Sequence, residues 1–363
     1  MKSTLYTTAT AALLLGTASS AWAEVKPIKV TSDDSAFRLT FSGQLNRGIL
    51  LTDDGEDTDA FFVDNDNSST RFRLNGEADV GSLTAGFVVE IQTESNSTAS
   101  VNQNTPSVSL EFDPRKLEIF LAGNFGTLYL GQGQTASDGT SEQDLSGTSV
   151  VGYSGVADFA GGLLLRQADG TLTAINVGSV FANFDGQSRR DRVRYDTNKF
   201  GGFSLSAGFN DNEGGDVALR YADTLGSVKL AAALAYSRTD TLSRINGSIS
   251  GLHEPSGLSL TLAAGRDDLD AGGRDPEFGY LKVGYQTDKI SKWGKTAFSV
   301  DYYDGSDIAS LNDSSESYGL QVVQNIEKIN TELYAGFRTY SYENGGPALN
   351  DLDAVLVGAR FKF

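Results

Sequence analysis

Arginines recur at every second residue in two parts of this chain. Arg71 and Arg73 flank Phe72, and Arg190, Arg192 and Arg194 alternate with Asp191 and Val193. At a spacing of two, side chains share one face of an extended strand. Arg115 adds a basic group where another apolar alternation begins, and the carboxylates Asp138, Glu142, Asp144 and Asp158 gather in one long polar segment. Arginine keeps its charge at any relevant pH. Guanidiniums facing carboxylates across water set up a transverse field, which sorts ions by sign and orients polar solutes. Nucleophilic and metal chemistry have little material: there is no Cys, and the one His is His253. His253-Glu254-Pro255 lacks the second His of a zinc-protease motif, and Gly131-Gln132-Gly133 lacks the Lys of a phosphate-binding loop. The run Asp53 to Asp59 offers Asp53, Asp54 and Asp57 to a weakly held divalent cation, but not in EF-hand order. A solvated run of charge is the plainer reading there.

The chain has 363 residues, 47 acidic against 29 basic, and a formal net charge of −18. That balance argues against nucleic acid, whose phosphates call for basic surfaces. Lys2, the apolar run Ala9 to Gly16 and the Ala21-Trp22-Ala23 site read as a secretory signal peptide over residues 1–23, leaving one domain over 24–363. Past Ala23 the longest apolar run is Leu230 to Tyr236, far short of the ~20 residues a membrane helix needs. A chain exported without such a helix is either soluble or a closed barrel.

The elements that must carry the charges are strands. Leu83, Ala85, Phe87, Val89 and Ile91 alternate with Thr84, Gly86, Val88, Glu90 and Gln92. The same period of two runs through 203–210, 228–237, 258–264 and 281–286, with one apolar face and one small or polar face. Short joints such as Gly81-Ser82 and Leu225-Gly226-Ser227 take turns with long polar connections such as 52–68, 94–107 and 305–314. Strands of about ten residues with alternating short and long connections are the habit of outer-membrane barrels. A soluble β-sandwich would also alternate, but with shorter strands and a dense core of large residues. The pattern predicts an all-β fold: an antiparallel transmembrane barrel of sixteen strands, beginning near Phe37 and ending near Phe363. A further hairpin around Asp169-Gly170 belongs either to the wall or to a long loop. In the last strand Val355, Val357, Ala359, Phe361 and Phe363 alternate with Arg360 and Lys362, which then point into a wet interior. A sixteen-strand barrel has a lumen about 20 Å across, too wide to sieve small solutes unless a segment folds inward. Residues 134–188 are the only connection long enough.

Several pieces resemble the general diffusion porins of Gram-negative outer membranes, sixteen-stranded and trimeric, of the alphaproteobacterial type. Phe41-Ser42-Gly43-Gln44-Leu45-Asn46-Arg47 is similar to that family's first strand, and Ser69 to Glu77 to its second. Gly123-Asn124-Phe125-Gly126-Thr127-Leu128-Tyr129-Leu130-Gly131 resembles the turn before its constriction loop, and Val193-Arg194-Tyr195 with Phe200-Gly201-Gly202-Phe203 the strand that leaves it. Gln132 stands where the family often has Arg. The resemblance implies a passive channel for ions and small hydrophilic solutes, with a substrate-specific sugar or anion porin of the same fold as the alternative. It implies a basic wall drawn from Arg71, Arg73, Arg115, Arg190, Arg192 and Arg194, facing Asp138, Glu142, Asp144 and Asp158 on the inward loop. It also implies a homotrimer among outer-membrane lipid and lipopolysaccharide, and Phe363 as the signal read by the barrel-assembly machinery. No cofactor is implied.

Overall fold

The structure is a computed structural model that describes residues 28–31, 37–211 and 214–363. The signal peptide expected over residues 1–23 lies outside the described residues. The chain opens with a short strand, β1 (Ile28–Thr31), followed by the long β2 (Phe37–Asp53), β3 (Thr58–Asp64) and β4 (Arg71–Val80). Next come β5 (Leu83–Glu94), β6 (Glu111–Gly123) and β7 (Gly126–Gln134). The connection after β7 holds a small hairpin, β8 (Leu164–Arg166) and β9 (Leu172–Asn176), and one helical turn, α1 (Val177–Val180). The chain then returns to the wall with β10 (Arg189–Asp196), β11 (Phe203–Asn210), β12 (Gly215–Leu225), β13 (Val228–Arg238) and β14 (Leu242–His253). It ends with β15 (Leu258–Leu269), β16 (Glu277–Thr287), β17 (Thr296–Ser306), β18 (Ser314–Ile326), β19 (Thr331–Glu343) and β20 (Leu352–Lys362).

Each wall strand pairs antiparallel with its sequence neighbour. The sheet closes where β2 pairs with β20, from Gln44↔Lys362 to Asp53↔Asp353. The wall has sixteen strands, because two of the eighteen segments in this sheet are not strands of their own. β3 and β4 pair with the upper and lower halves of β2 and form one strand broken at residues 65–70. β1 pairs with the lower end of β2, in line with β20. The hairpin around Asp169-Gly170 is β8–β9, which belongs to the inward loop and not to the wall.

Alternation sets the two faces. Leu205, Leu219, Leu234, Ile249, Leu262, Leu281, Val300 and Leu320 are exposed on the outside, where hydrocarbon would cover them. Aromatic rings gather near the short-turn end, such as Phe203 against Tyr221 with centroids 4.7 Å apart. That end carries turns as tight as Gly81-Ser82 and Gly226-Ser227. The opposite end carries the long connections, although β2 and β3, β11 and β12, and β13 and β14 are joined there by only residues 54–57, 211–214 and 239–241.

The inner face is not uniformly small or charged. Phe278, Tyr280, Tyr303, Tyr334, Tyr340, Leu352 and Leu356 point inward and are buried. They are covered by Val150, Val151, Val156, Phe159, Leu163, Leu165, Val180 and Phe181 of the connection after β7. A hydrophobic core thus forms inside the barrel between loop and wall, and it fixes the loop on one side only.

Candidate functional site

Loop residues 135–188 lie against the inner wall from β12 round to β20. Ser137 donates its backbone N–H to Asp216 at 2.6 Å, and Gln143 and Leu145 donate theirs to Ser248 and Ser250 at 2.9 Å. Lys282 Nζ reaches Asp144 at 2.7 Å and the carbonyl of Gly152 at 2.6 Å. Tyr303 and Tyr340 donate their hydroxyls to the carbonyls of Ala182 and Val156 at 2.8 and 2.7 Å. The loop so placed leaves a cavity of about 1370 Å³ between itself and β4, β5 and β6.

On the uncovered wall, β4 turns Arg71 and Arg73 to one face, as their spacing requires. β5 sets Glu90 directly across from Arg73. β6 carries a bulge at this level, since Glu90 pairs with Lys116 and Ile91 with Pro114. Arg115 is the extra residue, and a bulge re-aims its side chain. Arg115 Nε donates to Glu90 Oε1 at 2.9 Å, Arg71 Nη1 stands 3.9 Å from the same oxygen, and Arg73 pairs with Oε2. One buried carboxylate therefore serves three guanidiniums, and the group keeps a net positive charge. Beside it Arg360 and Lys362 share Glu332, and Arg360 donates to Ser68 Oγ at 2.6 Å. Arg71 donates to that same hydroxyl at 3.0 Å, which joins the two basic groups.

The loop presents carboxylates to the same cavity: Asp138, Glu142, Asp158 and Asp185, with Asp66 from the break between β3 and β4. Burial pushes the Asp158 carboxyl up to about 8, reinforced by repulsion from Asp66 and opposed by Arg115. Burial and Asp138 push Asp185 up to about 7, although the N–H groups of Ser141 and Gly139 hold its charged form. Glu142 is raised well above the usual carboxylate range by burial and then by Asp185, Asp138 and Asp158. Crowded carboxylates resist ionising together, so this face changes charge near neutral pH.

Not every residue expected at the constriction stands there. Arg71, Arg73, Arg115, Asp138, Glu142, Asp144 and Asp158 all border the cavity. Asp144, however, is spent on Lys282 as a strut between loop and wall. Arg192 and Arg194 face inward but are buried and paired, Arg192 with Glu118 and Arg194 with Asp196. Their remaining donors reach the carbonyls of Gln134 and Thr135, so they hold the root of the loop and do not line the opening. Arg190 is exposed and outside the cavity lining. The acids offered to a divalent cation are taken by Arg166, whose Nε is 2.9 Å from Asp54 and whose Nη2 is 2.9 Å from Asp57. A guanidinium from the inward loop fills that place, while Asp53 accepts the N–H of Gly55 at 2.9 Å in a local turn. Sequence reasoning did not single out Glu90, Asp66 or Asp185. Glu90 had a signal, being an acid on the polar face of its strand, at the same parity as Gln92 and Glu94.

Comparison with known proteins agrees with this architecture. The family model "Gram-negative porin" matches residues 9–345. A chitoporin of Vibrio furnissii is 32% identical over 134 residues, 35% of this chain and 35% of that protein. The match therefore spans about a third of that curated relative's length. An anion-selective porin from Comamonas acidovorans superposes with a TM-score of 0.63 at 19% identity, covering 90% of this chain and 100% of that one. The trimer form of OmpT from Vibrio cholerae does so with a TM-score of 0.59 at 14% identity, covering 90% and 100%. With the matched model spanning nearly the whole wall, the chain belongs to the Gram-negative porin family, and the membrane it crosses is the outer membrane.

Proposed function

We propose that this chain forms a water-filled channel for passive diffusion of ions and small hydrophilic solutes, working as a homotrimer. The observation that carries the reading is the cavity pressed between the Arg71, Arg73, Arg115 and Glu90 wall and the loop acids. Its described lining holds nine carboxylates against seven cationic side chains. That near balance supports a weak preference for cations while the acids are ionised. Basic and acidic faces opposed across a narrow wet passage align polar solutes and hinder apolar ones, which must displace ordered water. The trimer rests on the trimeric form of a structural relative. Bilayer recordings test the reading: discrete conductance steps that grow in proportion to salt concentration are expected, and their absence from heat-modifiable, correctly folded protein would refute it.

A second reading is a substrate-specific porin for a sugar or an anion. It is supported by the local match to a chitoporin and by the row of Arg71, Arg73, Arg115, Arg360 and Lys362 along one side. Liposome swelling separates the two. Flux that saturates with one oligosaccharide or one anion favours specificity, and rates that simply fall with solute size favour general diffusion.

A further inference from the structure

The two neighbouring turns that join β16 to β17 and β18 to β19 break the economy of the short-turn end. The first spans residues 288–295 and is the longest of the turns described at this end, where the others need two to six residues. Its sequence, Asp288-Lys289-Ile290-Ser291-Lys292-Trp293-Gly294-Lys295, carries three lysines in a chain of net charge −18. The second adds Lys328 and Ile329. The turns are tied together, since Glu327 donates its N–H to the carbonyl of Trp293 at 3.0 Å and Asn325 donates to that of Lys295 at 2.8 Å. Ile290, Trp293 and Ile329 stand 61%, 54% and 53% exposed, and Lys289, Lys292 and Lys328 are exposed around them. Asp288, Glu327 and Glu254 are the acids of this sector, and Glu254 is already paired with Lys229 at 2.8 Å. The local balance is therefore positive.

We propose that this patch docks on the phosphates of anionic phospholipids in the membrane leaflet at the short-turn end. Its position argues for lipid. Outward-facing Tyr285 and Phe298 pair across β16 and β17 immediately inside the turn and mark the edge of the apolar band. The next groups along the chain then lie at headgroup depth. Trp sits well at that boundary, with an apolar body and a polar N–H. Lysines there lay their stems along the acyl chains and lift the ammonium to the phosphates. Each lysine near an anionic surface strengthens attachment roughly fivefold.

The full-length protein, refolded and checked by heat-modifiable migration, is exchanged into nanodiscs of phosphatidylethanolamine with or without phosphatidylglycerol. The lipids retained are counted by native mass spectrometry. Retention of phosphatidylglycerol over phosphatidylethanolamine is expected, and the triple variant K289Q/K292Q/K328Q loses that preference while it still folds and conducts. W293A weakens retention of both lipids without changing their ratio. Equal retention of the two lipids by the unaltered protein would overturn the proposal, and so would a preference that survives the triple substitution. If the triple variant keeps its lipid preference but loses binding to an acidic periplasmic protein, the patch serves a protein and the lipid assignment is wrong.

Discussion

Glu90 sets the charge of the exposed wall. It compensates one of three guanidiniums, so the wall keeps a net charge near +2. Glu90→Gln retains the shape and leaves all three cations facing the passage. The reversal potential in a salt gradient should then move toward anions, and Arg115→Ala should move it toward cations. The loop acids add a pH dependence whose sign follows from their raised values. A carboxyl raised to about 8 or about 7 is ionised only above that pH. The cation preference should therefore be greatest above about pH 8 and fall away as the pH drops through 7. Asp158→Asn should remove part of that titration, read as a flatter curve of permeability ratio against pH. At this scale the sequence was half legible. Parity put Arg71, Arg73, Arg192 and Arg194 on the inner face. It could not say that Glu118 would neutralise Arg192, since the two are 74 residues apart. Nor could it reveal that Arg166, 112 residues from Asp54, would pair with the acidic run read chiefly as solvated charge.

The element that makes a channel out of a barrel is the connection after β7. Its apolar side packs on inward tyrosines, and its polar side is tied strand by strand to the wall. Lys282 and Asp144 are the buried strut in the middle of that contact. Lys282→Met leaves the Asp144 carboxylate buried without its partner, a change that costs about 3–5 kcal/mol in well-packed proteins. The wall does not depend on that pair, so the cost should fall on the loop. Single-channel recordings should show larger and noisier steps, while heat-modifiable migration is unchanged. The strands were readable because a period of two survives in almost every one. β3 was the exception. Within its seven residues Phe61 and Phe62 are adjacent and Asp59 and Asp64 sit near its ends, so it read as part of a polar loop. The inward packing of the loop was inferred only from its length and the width of the barrel. Its docking depends on contacts more than a hundred residues apart, such as Gln143 with Ser248, and no local pattern encodes those.

For the molecule as a whole, closure and conduction are linked. The last residue completes the ring: Phe363 and Gly43 exchange backbone hydrogen bonds of 3.0 and 2.8 Å. Its ring meets Phe41, Phe72 and Phe361 with centroids 5.7, 5.9 and 6.2 Å apart. Aromatic contacts of this kind contribute about 0.5–1.5 kcal/mol each. Phe363→Ala should thus lower the urea midpoint of the refolded barrel and reduce the heat-modifiable fraction, on the order of 2 kcal/mol, without altering the conductance of the barrels that do form. The closed wall then surrounds one passage whose two faces carry opposite and nearly balanced charge. The most direct test is the zero-current potential of the purified protein in a planar bilayer under a tenfold KCl gradient, recorded from pH 8.5 down to pH 5. Discrete conductance steps are expected, with a small cation preference at pH 8.5 that shrinks or reverses toward pH 5. A potential that stays fixed across that range, or a strong anion preference at pH 8.5, would contradict a channel governed by the loop acids and the arginine wall.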